Sequence, residues 1–131
     1  MIVKEGWISM IYKIAAASSD GKVINQHFGR TEEFHILKAD SSDRTFWYQE
    51  TRTTAPACRQ QEHDDRELRT VADLLGDCDY VLVSRIGEGA RSALAENGAW
   101  AFELPGLIED SVQRLLSYIE VQNLFKKEEK G

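Results

Sequence analysis

The apolar run at residues 80–84 constrains the fold of this chain more than any other feature. Its sequence, YVLVS, is almost continuously apolar and has the length of a strand, which is typical of a strand buried on both faces of a sheet. Leu68, Ala72 and Leu75 fall at helical spacing before it, and residues 88–96 predict a short helix after it. A strand followed by helix and strand again predicts an α/β protein.

The remaining segments predict two hairpins upstream of this alternation and one helix at the end. Asp20-Gly21 is turn chemistry, because glycine supplies the positive φ that a tight hairpin requires. The predicted elements are strands at residues 12–17, 22–24, 34–39, 45–51 and 99–103, and an amphipathic helix from residue 108 to about 124. This order predicts a mixed sheet with helices on its faces, in which the later strands are parallel through right-handed crossovers.

Composition sets the class of protein. The chain has 131 residues, the size of one domain, and we expect a short N-terminal extension at residues 1–12 and a charged tail at residues 126–131. A net charge of -6 disfavours nucleic acid as a partner, and no apolar run approaches the ~20 residues that span a bilayer. We expect a cytoplasmic protein whose two cysteines, Cys58 and Cys78, are reduced thiols.

The run NQHFGR at residues 25–30 is the first candidate site. Neutral imidazole is a common metal ligand, and Gly29 lets the backbone approach whatever the ring of His27 holds. The residues alone leave a structural alternative open, in which His27 caps or hydrogen-bonds the turn while Phe28 fills the core.

The second candidate is Cys58 with His63. Thiolate and imidazole are ligands that iron, zinc or an iron–sulfur cluster selects, and these two lie in a segment without periodicity that predicts a loop at residues 53–62. Two ligands do not close a tetrahedral site, so His27 or an exogenous group would have to complete it. The alternative is a helix N-terminus with Asp64 as N-cap, Glu67 at the capping-box position and an incidental thiol.

The third candidate is the segment at residues 84–91, where the buried strand runs into a helix. Ligands bind at the carboxyl ends of strands in α/β sheets, helix N-terminal amides attract anions, and Arg85 and Arg91 would reinforce that field. Gly87 and Gly89 fit neither a P-loop nor the dinucleotide fingerprint, which excludes a nucleotide site. A generic anion site and a plain strand-to-helix turn both remain open.

Other chemistry-bearing residues have structural interpretations. Cys78 reads as a small core residue, His35 as a sheet-face histidine with a structural partner, and the aromatic residues at 46–48 as packing. A hydrolase is the weakest of the function classes. Asp20, Asp64 and Asp79 could be imagined as a two-metal centre, but turn and loop chemistry explains Asp20 and Asp79.

Three ordered stretches, AAASSDGKVINQHFGRTEEFHIL, ACRQQEHDD and LLGDCDYVLVSRIGEGARSALAENG, together resemble the dinitrogenase iron–molybdenum cofactor biosynthesis family. That family comprises small cofactor carriers and the C-terminal domain of the cofactor synthase, and the resemblance covers residues 13–125. It implies a single domain with a ribonuclease-H-like fold, whose mixed five-stranded sheet is flanked by helices. The chain has no Cys-x3-Cys-x2-Cys motif of radical enzymes, and the resemblance implies no turnover by this domain.

The resemblance also implies a function and a site. The function is binding, storage or transfer of an iron–sulfur or iron–molybdenum-type cluster between donor and acceptor proteins, by a monomer or homodimer. The cluster-binding histidine of the family maps onto His27, and Cys58 and His63 occupy the loop where relatives carry cysteine or histidine. Arg30, Arg85 and Arg91 would hold the negative charge of such a cluster. The second hypothesis is an accessory or regulatory interaction domain that binds no metal.

Overall fold

A computed structural model describes residues 10–57 and 65–130 of the chain. The elements in chain order are β1 (Ile11–Ala17), β2 (Val23–Ile24), a 3-10 helix (Phe28–Arg30), β3 (Glu33–Asp40), β4 (Phe46–Thr53), α1 (Asp65–Leu74), β5 (Tyr80–Val83), α2 (Glu88–Glu96), β6 (Trp100–Glu103), β7 (Gly106–Leu107) and α3 (Ile108–Lys130).

Five strands form one mixed sheet in the order β4-β3-β1-β5-β6. β1 pairs antiparallel with β3 and β3 with β4, whereas β5 runs parallel to both β1 and β6. The parallel pair of β5 and β6 is joined by a helical crossover through α2, as the alternation of strand and helix predicts. The parallel pair of β1 and β5 is not consecutive, because β2, β3, β4 and α1 lie between these strands in the chain. The α/β class, the mixed five-stranded sheet and the hairpin of β3 with β4 are therefore confirmed.

The sheet is buried between two helical layers, and β5 shows why. Val81 and Val83 point into a core shared with α1 and α2, while Leu82 points into a second core shared with α3. All three side chains are fully buried. The interpretation of residues 80–84 as a strand buried on both faces is thus confirmed, and the helices of both layers contribute apolar stripes that face it.

The predicted hairpin of the first two strands is wrong. β1 already has β3 on one side and β5 on the other, so β2 cannot pair with it. Instead β2 pairs antiparallel with β7, a two-residue strand that sequence reasoning missed. These two strands form a separate small sheet, because the chain turns away from the main sheet after Ala17.

Side-chain hydrogen bonds make that turn. The Asp20 carboxylate accepts the N–H groups of Lys22 (2.8 Å) and Val23 (3.1 Å), and these amides hold the pKa of Asp20 below its usual value. Ser18 Oγ accepts the Gly21 N–H at 2.9 Å, and Gly21 has the predicted positive φ of 77°. The turn chemistry is confirmed although the strand pairing inferred from it is not.

The aromatic residues of β4 pack less than expected. Phe46 is half-buried, but Trp47 and Tyr48 are 45% and 58% exposed. β4 is an edge strand that pairs only with β3, and a bulge opposite Ile36 and Leu37 interrupts their register. The interpretation of all three residues as packing is therefore wrong for Trp47 and Tyr48.

An ion-pair network fastens β4 to the turn between α1 and β5. Arg52 donates two hydrogen bonds to the Asp77 carboxylate (2.7 and 2.9 Å), one to Glu50 (2.6 Å) and one to the carbonyl of Leu74 (2.9 Å). Lys13 on β1 donates to the same Asp77 carboxylate at 2.9 Å. Its hydrogen bonds from Arg52 hold the pKa of Asp77 well below its usual range. Three elements distant in sequence are tied at one carboxylate.

The last helix runs further than predicted, to Lys130 instead of about Leu124. No helix in residues 10–57 and 65–130 has the length and apolar character needed to cross a membrane.

Candidate functional site

The NQHFGR turn is built around one buried side chain and one exposed one. Phe28 is 1% exposed and its ring centroid lies 5.7 Å from that of Phe34 on β3, so it anchors the turn in the core. The preceding His27 is exposed, and its imidazole makes no capping hydrogen bond to the 3-10 helix. Instead the hydroxyl of buried Thr31 donates to the His27 carbonyl at 2.7 Å. The structural alternative for this turn is therefore confirmed for Phe28, which fills the core. It expected His27 to cap or hydrogen-bond the turn, but the hydroxyl of Thr31 makes that hydrogen bond instead.

The turn is joined directly to the carboxyl end of β5. Residues His27 and Arg85 form an isolated parallel β-bridge. The Phe28 N–H donates to the Arg85 carbonyl at 2.8 Å, and the Ser84 N–H donates to the Gln26 carbonyl at 3.0 Å. Two of the three candidate sites, far apart in sequence, therefore meet at one end of the sheet.

The charges at this strand end are mixed. Arg30 and Arg85 are exposed, but the Arg91 guanidinium is half-buried and donates to the carbonyl of Ala101 on β6 at 2.8 Å. The carboxylate of Glu103 accepts the Ile86 N–H at 3.0 Å. Arg91 of the predicted anion site thus has a structural partner. The Ile86 amide ahead of α2 is also already bound, by the carboxylate of Glu103.

The two glycines at the start of α2 differ in their surroundings. Gly87 is the N-cap of α2, and a Cβ placed on it would meet no atom within 4 Å. A Cβ on Gly89 would touch the Leu68 side chain at 3.7 Å, an ordinary packing distance. The backbone at Gly87 therefore faces open space beside the bridge, whereas Gly89 lies over α1.

Asparagine and glutamine of the NQHFGR run belong to a polar network. Asn25 Oδ1 accepts the Ser19 N–H (3.1 Å) and Gln26 Nε2 (3.2 Å), and Asn25 Nδ2 donates to Ser19 Oγ (3.0 Å). A polar cavity of about 310 Å³ opens next to this network. Its lining residues are Ser18, Ser19, Gln26, Arg30, Glu32 and Glu33.

A larger cavity of about 620 Å³ lies elsewhere, between β3, β4 and the start of α3. It shares no lining residue with the polar cavity or with the bridge, and its walls include Leu37, Phe46 and Leu107. Size alone therefore does not identify the site. The smaller cavity is the one next to the His27 turn.

Cys58 and His63 lie outside the described residues, so their place relative to His27 stays a prediction. The same holds for Asp64 as N-cap. The chain on both sides of this segment is described: Ala57 and Leu68 are buried in the same core cluster as Phe28.

The remaining histidine and cysteine have the structural roles predicted for them. Nε2 of His35 lies 3.2 Å from the carbonyl of Ser18 and Nδ1 lies 3.1 Å from Thr51 Oγ1, so both ring nitrogens have partners. Cys78 is 3% exposed and belongs to the core. Among the described residues, no three histidine, cysteine, aspartate or glutamate side chains group into a metal site.

Burial makes Cys78 unreactive, which yields a prediction. Desolvation, assisted by the neighbouring Asp77, raises the pKa of its thiol to about 12. In a Cys58→Ser variant we expect native protein at pH 8 to react with a maleimide at least about a hundred-fold more slowly than unfolded protein, because the thiolate fraction falls with pKa. Labelling at the rate of unfolded protein would contradict it. Thiol labelling of the native parent would then report Cys58 alone.

Sequence reasoning missed three contributors to this site. The Thr31 hydroxyl holds the turn, the Gln26 carbonyl holds the bridge and the Glu103 carboxylate holds the segment ahead of α2, each through a hydrogen bond to a backbone group. A threonine after a glycine-containing turn is a weak signal for such a role. The other two have none, because their partners are distant in sequence.

Together the fold and the site define a class of protein: a mixed α/β domain with an exposed histidine and an exposed arginine bridged at the carboxyl end of its buried strands. Residues 10–118 match the family model described as dinitrogenase iron-molybdenum cofactor. The chain belongs to this family.

Curated relatives agree with this membership. The chain is 34% identical over 107 residues to the FeMo cofactor biosynthesis protein NifB of Frankia alni, and 29% identical over 115 residues to that of Chlorobaculum tepidum. These matches cover 78% and 86% of the chain but only 20% and 26% of the relatives. The chain therefore spans about a fifth to a quarter of their length.

Similar folds occur at low sequence identity. The crystal structure of PH0822 has a TM-score of 0.56 and 15% identity, with 80% of this chain and 90% of the other covered. The NMR structure of the Thermotoga protein TM1290, described as belonging to the DUF35 family, has a TM-score of 0.50 and 14% identity, with 79% and 86% covered. They support the fold.

Proposed function

We propose that this chain binds an iron–sulfur or iron–molybdenum-type cluster without turnover and passes it between donor and acceptor proteins of cofactor biosynthesis. One observation carries the proposal. The backbone bridge pairs His27 with Arg85, two residues with exposed side chains, at a strand end where the Gly87 backbone faces open space. The names of the NifB relatives supply the biosynthetic context.

The chemistry of each group suits such a cargo. A neutral imidazole supplies one directional bond to a metal. Clusters of this kind are anionic, and Arg85 and Arg30 supply positive charge at the surface. Ser84 Oγ is buried beside the bridge and has no hydrogen-bond partner among the described residues, which is uncommon for a buried hydroxyl.

A sparse set of ligands suits transfer better than storage for long periods. Affinity among related complexes is set mostly by the rate of release, and each additional metal–ligand bond slows that release. A carrier therefore needs few bonds to its cargo. We propose that Cys58 and His63 join His27 as ligands while the cluster is bound. They dissociate from it when an acceptor protein offers its own ligands.

The test is anaerobic reconstitution. The purified chain is incubated with ferrous iron and sulfide, with or without tetrathiomolybdate, and separated by gel filtration with iron and molybdenum analysis. We expect metal to elute with the parent and His27→Ala to retain at least about ten-fold less, since it loses the one directional bond. Gly87→Ala should also retain less metal, because its Cβ would enter the open space beside the bridge.

His35→Gln is the matched histidine control, because the His35 ring is held by Ser18 and Thr51 away from the bridge. It should load as the parent does. Maleimide labelling of Cys58 should slow once metal is bound. If no metal elutes with the parent, or if His27→Ala loads equally, the carrier function is wrong, and the accessory interaction domain that binds no metal becomes the better account.

A further inference from the structure

The last helix carries a second apolar stripe that nothing in the described chain covers. The first stripe packs on the sheet and ends at Ile119, which is 4% exposed. The second consists of Tyr118, Val121, Leu124 and Phe125, which are between 46% and 61% exposed. Positions 118, 121 and 125 follow the i, i+3, i+7 spacing of one helical face.

This stripe continues onto the main sheet. Ring contacts run from Tyr12 to Tyr80 (5.6 Å), from Tyr80 to Phe102 (5.8 Å) and from Phe102 to Tyr118 (5.0 Å). Trp100, 59% exposed, stands next to Tyr80 in the pairing of β5 with β6. We call the five exposed side chains the α3–β6 patch: Trp100, Tyr118, Val121, Leu124 and Phe125.

The helix itself indicates that the patch needs a partner. α3 continues to Lys130, eleven residues past its last buried position. Most of the stability of a helix in a protein comes from the packing of its apolar face. Residues 121–125 are all exposed, so contacts with residues 10–57 and 65–125 do not supply that support.

We propose that the partner is a second copy of this chain, packed through its own α3–β6 patch in an antiparallel two-fold arrangement. A two-fold axis near Val121 places Tyr118 of one copy opposite Phe125 of the other, and the same contact recurs on the far side of the axis. The patch is then self-complementary, and it lies away from the bridge of His27 with Arg85.

The area agrees with a dimer of low affinity. Aromatic side chains bury roughly 150–250 Å² each, so five large apolar side chains about half exposed present on the order of 500 Å² per copy. Two copies would bury about 1,000 Å², the lower bound for a specific interface. Interfaces at this low end of the size range belong to weak or transient complexes.

Sedimentation equilibrium of the full chain tests this. Over a micromolar to millimolar range, the mass should rise from 14.9 kDa towards twice that value. Phe125→Ser and Val121→Ser should each weaken dimerisation at least about ten-fold while the circular dichroism spectrum keeps its folded form. Leu107→Ser, a change at a residue 54% exposed outside the patch, should dimerise as the parent does.

Cross-linking tests the antiparallel register. In a Cys58→Ser background, Val121→Cys lies near the axis and should yield a covalent dimer with a short bismaleimide, whereas Leu107→Cys should not. A parent that stays at the monomer mass at every concentration would overturn the proposal, as would dimers that are equally stable in both serine variants of the patch.

Discussion

Replacing Phe28 by alanine is expected to lower the free energy of unfolding by about 3–5 kcal/mol, the usual cost of deleting a buried phenylalanine ring. Phe28 is 1% exposed and packs against Phe34 in the core beneath α1 and α2. The ring also fixes the 3-10 turn that presents His27. Chemical denaturation gives the change, and metal loading of the folded fraction gives the effect on the site.

Trp47→Ala is the control for this experiment, because it removes a large aromatic side chain that is 45% exposed on β4. We expect it to cost less than about 1 kcal/mol, as surface changes do. If Phe28→Ala cost no more than this control, Phe28 would not be the anchor of the turn. A loss of metal loading by the folded Phe28 variant would show that the turn has moved.

Replacing Arg52 by leucine should destabilise the protein by about 2 kcal/mol at pH 7, because hydrogen bonds to charged groups contribute roughly 1.5–3 kcal/mol. The loss should stay below the upper end of that range because the Asp77 side chain is 47% exposed and solvent screens the pair. Asp77, Glu50 and the Leu74 carbonyl would all lose the same donor. Urea denaturation at fixed ionic strength measures the difference.

The pH dependence of this loss has a definite sign. Arg52 lowers the pKa of Asp77 in the folded state, so the contribution is complete above the unfolded pKa of about 3.9 and falls as the pH drops towards the folded value. The difference between parent and Arg52→Leu should therefore be constant from pH 7 to pH 5 and shrink below about pH 4. A difference that stays constant to pH 2 would contradict the assignment to Asp77.

Arg69→Leu is the matched charge control, since Arg69 is exposed on α1. It should change stability by less than about 0.5 kcal/mol and show no loss of effect in acid. Asp77→Asn should reproduce most of the Arg52→Leu effect at neutral pH. In the double variant the two losses should not add, because both remove the same interaction.

Sequence alone predicted the elements that have a strong period or length. The run at residues 80–84 and the helical stripes around it gave β5, α1 and α2, and the polar turn between residues 39 and 45 gave the hairpin of β3 and β4. It did not give the partner of β2, because Asp20-Gly21 specifies a turn but not which strand follows it in the sheet. β7 has two residues and no period to detect.

The site was only partly accessible to the same reasoning. His27 and Arg85 each carried a local signal, a glycine-containing turn and a strand end. Their meeting depends on hydrogen bonds of the backbone groups of Gln26, Phe28 and Ser84. The backbone can make these bonds with almost any residue type at those positions. A backbone pairing between distant segments leaves no mark on residue type, so the sequence offered two candidate sites where the structure has one.

The hydrogen bond from Arg91 to the Ala101 carbonyl has a consequence for how the protein behaves at high concentration. The N–H groups of Trp100 and Leu104 donate towards β5, to the carbonyls of Asp79 and Val83. Backbone groups of successive strand residues point in opposite directions, so the carbonyl of Ala101 points to the open edge of β6. An open edge templates the growth of sheets across molecules. Arg91 occupies one carbonyl of this edge with a bulky cation, which disfavours pairing with another strand at that position.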